Sequence, residues 1–140
     1  MPSLISKQAE ELRAALRARE KLIKRMAEYE AHELWSAAPE KNGRKIIQQV
    51  FAAEDHDEAK MLAHAIAHQP AAVALIGGKG KPAALFFAQS AGGTTDMGSI
   101  LKQTVAKMGG KGGGARDFAQ GGGLDEASLE EALTIAEGLV

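Results

Sequence analysis

The sequence predicts an α/β protein: a small mixed β-sheet flanked by helices, preceded by a long N-terminal coiled-coil-like helix. Three observations lead there. Residues 4–37 repeat apolar side chains at alternating steps of four and three, with no glycine or proline among them. Residues 44–140 alternate short apolar runs with amphipathic stretches. Before the last of those stretches lies Met108–Gly123, a run in which eight of sixteen residues are glycine. At 140 residues the chain has room for one domain and an appendage. Its net charge of −1 gives no global attraction for a polyanion, so a nucleic-acid partner needs a local patch.

Residues 1–38 are read as a helical arm. Ile5, Ala9, Leu12, Leu16, Ile23 and Met26 form a seam that Arg19 interrupts, and Leu22 and Tyr29 widen it. Charged residues from Glu10 to Arg25 flank it, as in a heptad helix. Two readings stay open: a solvated helix packed on its own domain, or a coiled-coil arm pairing with a second copy or another segment. Some 33 residues would span roughly 50 Å, more than a small domain is wide, which favours the second. Pro39 and Asn42-Gly43 break the helix and set the domain boundary.

The α/β domain is placed at 44–140. Lys45–Phe51 reads as a strand, and Glu54-Asp55-His56-Asp57 as the acidic opening of a helix that Pro70 closes. Ala72–Ile76 and Ala83–Ala88 are apolar runs joined by Gly77–Lys81, hence a hairpin. Thr94, Thr95 and Asp96 offer an N-cap for a helix ending at Gly109. Residues 109–123 are expected to be a glycine-rich loop, with a further short strand around Phe118. The capping box Ser128-x-x-Glu131 then opens the last helix.

Most candidate chemistry has a plainer explanation. His64 and His68 share a helix face and could share a metal, but zinc needs a third protein ligand. They are expected to be partly exposed helix residues, and no metal site is assigned. Glu54, Asp55, Asp57 and Glu58 are explained by the helix dipole. The Lys79–Lys81 turn lacks P-loop spacing and reads as a basic hairpin tip, which can still touch a phosphate. No local arrangement specifies a nucleophile, and the absence of cysteine excludes thiolate chemistry and disulfides. No apolar run nears the roughly 18 residues needed to cross a bilayer. The polar N-terminus lacks the apolar segment of a signal peptide, so a cytoplasmic location is expected.

The glycine run differs in kind. Successive glycine amides can form an anion-binding concavity, with Lys111 and Arg116 neutralising the charge. Arg116 suits a bidentate phosphate contact. Asp117 reads as an internal hydrogen-bond acceptor, Phe118 as an anchor into the core, and Gln120 as serving either the backbone or a nucleotide. The competing reading is a spacer that only lets two helices cross closely.

Gly110-Lys111-Gly112-Gly113-Gly114-Ala115-Arg116-Asp117-Phe118-Ala119-Gln120-Gly121-Gly122 resembles the glycine-rich signature near the C-terminus of alanyl-tRNA synthetases and of longer alanyl-tRNA editing proteins. This is the DHH-associated domain, which also follows the catalytic domain of DHH phosphoesterases. The usual synthetase form reads Gly-Arg-Pro-Asp-Met-Ala-Gln. Here Gly114–Gln120 has its arginine one position later and lacks the proline. The phosphoesterase loop carries Gly-Gly-His, and no histidine lies in this run, which favours the alanyl-tRNA side. The similarity covers residues 44–140, and the arm resembles the helical segment that links the domain to an editing domain.

The resemblance implies a non-catalytic tRNA-binding and association module, with alanine-specific tRNA as partner. The arm would serve a homodimer or an intramolecular contact. The binding set is Lys111, Gly112, Gly113, Gly114, Arg116, Gln120, Gly121 and Gly122 with Lys79 and Lys81, helped by Lys102 and Lys107. No cofactor is expected in this chain. The parent, an alanine–tRNA ligase or an editing hydrolase, would bind zinc, and ATP if a ligase. The alternative is the substrate-binding domain of a DHH phosphoesterase acting on oligonucleotides.

Overall fold

The computed structural model of the protein describes residues 3–41, 43–93 and 95–140, with side chains from residue 6 onward. Asn42, Thr94 and the side chain of Ile5, all named above, lie outside the described residues. The chain forms α1 (Ser3–Ala37), β1 (Glu40–Lys41), β2 (Arg44–Phe51), α2 (His56–Ala67), β3 (Ala72–Gly78) and β4 (Ala83–Gln89). Then follow α3 (Met97–Met108), β5 (Lys111–Gly114), β6 (Phe118–Leu124) and α4 (Leu129–Leu139). The six strands form one mixed sheet in the order β1-β2-β3-β4-β6-β5. Only β2 and β3 pair in parallel, through the α2 crossover; the other neighbours are antiparallel.

Every residue of β3 is buried, as its continuous apolar run requires of a strand covered on both faces. Alternate side chains serve two cores. Val73 and Leu75, with Leu85 and Phe87 of β4, face Leu101 of α3 and Leu133 of α4. Ala72, Ala74 and Ile76, with Phe86 and Ala88, face Leu62 and Ile66 of α2 and Ala27 and Ala31 of α1. The small side chains of the second core let α1 and α2 stack closely.

The arm therefore has two halves. Its last turns belong to the second core through Ala27, Ala31, Leu34 and Trp35. Trp35 Nε1 donates to the Pro70 carbonyl at 2.9 Å, and Lys45 Nζ donates to the Trp35 carbonyl at 2.9 Å. The Lys45 ammonium also lies 4.2 Å from the Trp35 ring centre. The seam residues Leu12 and Met26 are 61% and 70% exposed, and Leu16, Leu22 and Tyr29 are exposed too. A 35-residue helix at 1.5 Å per residue is about 52 Å long, so its N-terminal half projects from the domain.

Several local expectations change. The glycine-rich stretch is an antiparallel hairpin of β5 and β6, with the expected strand at Phe118 as its second limb. Ser128 closes a 3-10 turn at φ −93°, ψ −2° and makes no side-chain cap; its backbone is already helical, so the hydroxyl is not aimed at the next turn. Asp55 likewise makes no side-chain cap on α2. Asp96 does cap α3, accepting from the Ser99 amide at 3.1 Å, and Gly109 ends that helix at φ 78°.

Gly114→Ala is expected to destabilise the fold by about 1–3 kcal/mol, because its Cβ would fall 2.6 Å from both the Ala119 Cα and the Phe118 carbonyl oxygen. Gly138→Ala, on α4 with open space around it, should stabilise by up to about 1 kcal/mol. Urea denaturation of the two variants checks both signs.

Candidate nucleic-acid interface

The hairpin owes its shape to what glycine lacks. Leu101 Cδ2 of α3 lies 3.0 Å and 3.2 Å from where a Cβ would stand on Gly112 and Gly121. A Cβ on Gly98 of α3 would stand 2.6 Å from the Gly114 carbonyl oxygen. Helix and hairpin thus meet backbone to backbone, and part of the glycine content is explained by close packing.

The turn joining β5 to β6, residues 115–117, is tied to α3 and β4 through three successive carbonyls. Ala115 accepts from the Gly98 amide at 3.2 Å, Arg116 from Met97 at 2.8 Å and Asp117 from Gln89 at 3.0 Å. With Asp96 on Ser99, the first amides of α3 are occupied, so this helix N-terminus is closed to an anion. Gln89, 2% exposed, donates its side-chain amide to the Thr95 carbonyl, to the Arg116 carbonyl at 3.0 Å and to Asp117 Oδ1 at 3.2 Å. Asp117 is thus the internal acceptor the sequence suggested. Arg116 Nη2 donates to the Gly93 carbonyl at 2.8 Å and Arg44 Nη1 to Thr95 Oγ1 at 2.5 Å, so both hold the segment between β4 and α3. Arg116 itself is exposed, and one such bond leaves further guanidinium donors.

The candidate cations do not form one cluster. Lys111 pairs with Gly122 and Ala83 with Leu124, which puts Lys111 at the same end of the sheet as the Lys79–Lys81 turn. Lys107, in the last turn of α3, lies toward that end as well. Arg116 is at the other end, the length of the seven-residue β4 away, about 20 Å. Lys102 lies between, its Cε 3.0 Å from where a Gly113 Cβ would stand. Lys79 is compromised: it lines a cavity with Asp125, Glu126 and Glu130, and its carbonyl is 2.6 Å from His56 Nε2. Lys81 is exposed.

β5 is an edge strand. Its amides alternate in direction, so the successive amides do not gather into a concavity. The Ala115 amide donates inward to the Phe118 carbonyl at 2.9 Å, and the alternation from there turns the amides of Gly112 and Gly114 outward. Lys111, Gly112 and Gly114 are exposed, Gly113 is half-buried, and no side chain of the strand shields its edge beyond Lys111. On β6, Gln120 is exposed and Gly121 and Gly122 are half-buried.

Phe118 does more than anchor the hairpin. Its ring stacks on His64 of α2, centroids 4.1 Å apart and planes 7° from parallel. His64 and His68 are both exposed. Among the described residues no group of three or more potential ligands stands ready for a metal. Partial desolvation of the ring where it lies on Phe118, followed by the positive charge of Lys60 and then His68, holds the His64 pKa below the ordinary imidazole value of 6.5. Sequence reasoning missed Arg44, Gln89 and the pairing of His64 with Phe118. The one available signal was Gln89, a polar residue closing an apolar strand.

A DHHA1 domain family model matches residues 21–140. The alanine–tRNA ligase of Shouchella clausii (strain KSM-K16) is 31% identical over 138 residues, covering 95% of this chain and 16% of the relative. That of Pseudomonas entomophila (strain L48) is 33% identical over 121 residues, covering 84% and 14%. The chain thus spans a small fraction of the curated relatives it matches. The crystal structure of the C-Ala domain from Aquifex aeolicus alanyl-tRNA synthetase superposes with a TM-score of 0.64 at 22% identity. It covers 73% of this chain and 96% of that one, a likeness of fold.

Because the His64 pKa is lowered by folding, the unfolded chain binds a proton at this site at higher pH than the folded one. The site's contribution to stability is intact above about pH 6.5 and is lost as pH falls below it. Denaturant midpoints at pH 7.5 and pH 5 should therefore differ less for His64→Gln than for the unmodified protein.

Proposed function

Since the chain belongs to the DHHA1 domain family, we propose that it is a non-catalytic tRNA-binding and association module. Its parent would be an alanyl-tRNA synthetase or an alanyl-tRNA editing hydrolase, and the ligase names of its relatives favour the former. The observation that carries the reading is the bare edge of β5. Two outward glycine amides, Gly112 and Gly114, sit on a strand with Lys111 at one end and Arg116 just past the other. Amide donors and flanking cations with no side chain between them suit a phosphate backbone read by shape. Lys102 lies beside Gly113 between Lys111 and Arg116, and Lys81 and Lys107 add charge toward the Lys111 end. Gly113, Gly121 and Gly122 keep the surface low, and Gln120 offers an amide to a base or ribose.

The exposed seam of α1 carries the association part. Leu12, Leu16, Leu22, Met26 and Tyr29 face water here, and a second copy or another part of the parent would cover them. A cytoplasmic location accords with both roles, and no described helix is long and apolar enough to cross a membrane.

Binding is expected to be weak and salt-sensitive, because only a few phosphates can be neutralised. Lys111→Ala with Arg116→Ala should lower affinity for alanine tRNA and reduce the slope of log K against log salt by roughly 1.4–1.8, two contacts' worth. Filter binding at four salt concentrations measures this, and an unchanged slope removes the edge of β5 from the interface. Sedimentation of the chain with and without residues 1–20, a cut that leaves Ala27, Ala31, Leu34 and Trp35 in the second core, tests the arm: self-association should weaken once Leu12 and Leu16 are gone.

A further inference from the structure

The hairpin meets α2 through an aromatic contact whose inner member, Phe118, is half-buried against the second core and whose outer member, His64, is exposed. Phe118 lies on β6 between Arg116 and Gln120, and its ring supports the imidazole of His64 from beneath at 4.1 Å and 7°. Packing against Phe118 would be satisfied by any apolar side chain. A flat, exposed ring at this point adds an aromatic face to a surface otherwise made of backbone and cations. His64 also lines a groove of about 520 Å3 between α1 and α2, a size usual for small-ligand sites. Ile23 and Met61 give that groove apolar walls, and Lys60 stands beside the imidazole one helical turn away. Asp57 and Glu58 also line it. Their carboxylates repel a phosphate and accept hydrogen bonds from ring and exocyclic N–H groups. With Arg19, Glu20 and Glu54 also in its lining, the groove carries four carboxylates against two cations, a balance that disfavours a phosphate and suits a neutral, donor-rich heterocycle.

We propose that the His64–Phe118 pair is a stacking platform for an unpaired nucleobase of the bound RNA, the base entering the α1–α2 groove while its backbone runs along β5. This rests on the RNA-binding reading above and adds to it a site that takes a base. Imidazole and phenyl faces serve this purpose because every base has a π-face to offer them.

The test compares His64→Ala, His64→Phe and Lys111→Ala in the full chain. The probes are alanine tRNA and a single-stranded RNA carrying 2-aminopurine. His64→Ala should weaken binding by about tenfold, within the range for loss of one stacked base, and leave the salt slope unchanged. His64→Phe should restore affinity, because it keeps the platform. Lys111→Ala should lower the slope instead. Quenching of 2-aminopurine on binding should vanish in His64→Ala and persist in His64→Phe. RNA binding that is indifferent to both His64 variants overturns the stacking site and leaves the β5 reading standing. A salt slope that falls in His64→Ala also overturns it, since His64 would then be acting as a charge. Absence of RNA binding by the unmodified chain overturns both. Unchanged circular dichroism of each variant at the assay temperature, well below its midpoint, establishes that the fold is retained.

Discussion

The close seating of α3 on a hairpin without side chains is the contact on which the rest of the domain depends. Leu101 reaches the backbone at Gly112 and Gly121, and Gly98 lies against the Gly114 carbonyl. The turn's carbonyls at Ala115 and Arg116 receive the first amides of α3. The helix is thereby capped by the strands it covers. Any β-carbon at Gly112 or Gly114 would meet the neighbouring strand, so glycine is required there by volume. The same bareness that seats α3 on one face leaves the edge of β5 open to solvent. Packing and accessibility have one cause.

The electrostatics follow from that geometry. A hairpin separates charges that are close in sequence: Lys111 and Arg116 end up at opposite ends of a short strand, and Lys81 returns to the Lys111 end through β4. The result is a string of positive side chains about 20 Å long, without a single strong focus. With a net charge of −1, the rest of the surface offers a distant polyanion no encouragement. Under the RNA-binding reading proposed above, this spacing would suit an extended, regularly charged contour better than a single phosphate.

The two cores, the fold class and the long helix were legible in the sequence because they rest on periodicity. The continuous run Ala72–Ile76 against the alternating faces of α2, α3 and α4 is such a signal. The edge strand was not, because Lys111-Gly-Gly-Gly has no β-propensity and becomes a strand only when β6 offers it a partner. Ser128 shows the reverse: a motif that reads as a capping box is absorbed by a 3-10 turn one step earlier. At the candidate site, Asp117 could be read as an acceptor from its place among glycines. Its donor Gln89, and the meeting of His64 with Phe118, arise from register between distant elements, which no local pattern encodes.

The anchoring of α1 has a mechanical consequence. Trp35 and Lys45 fix its last turns to the sheet, and no glycine or proline interrupts it from Ser3 to Ala37. It leaves the domain as a stiff strut with no flexible joint. Whatever the far turns were to hold would stand at a set distance and bearing from the glycine hairpin, and a ligand held at both places would be engaged in a fixed geometry. Reach is then decided by helix length alone: removing one heptad shortens it by about 10 Å and rotates the far end by about 20°.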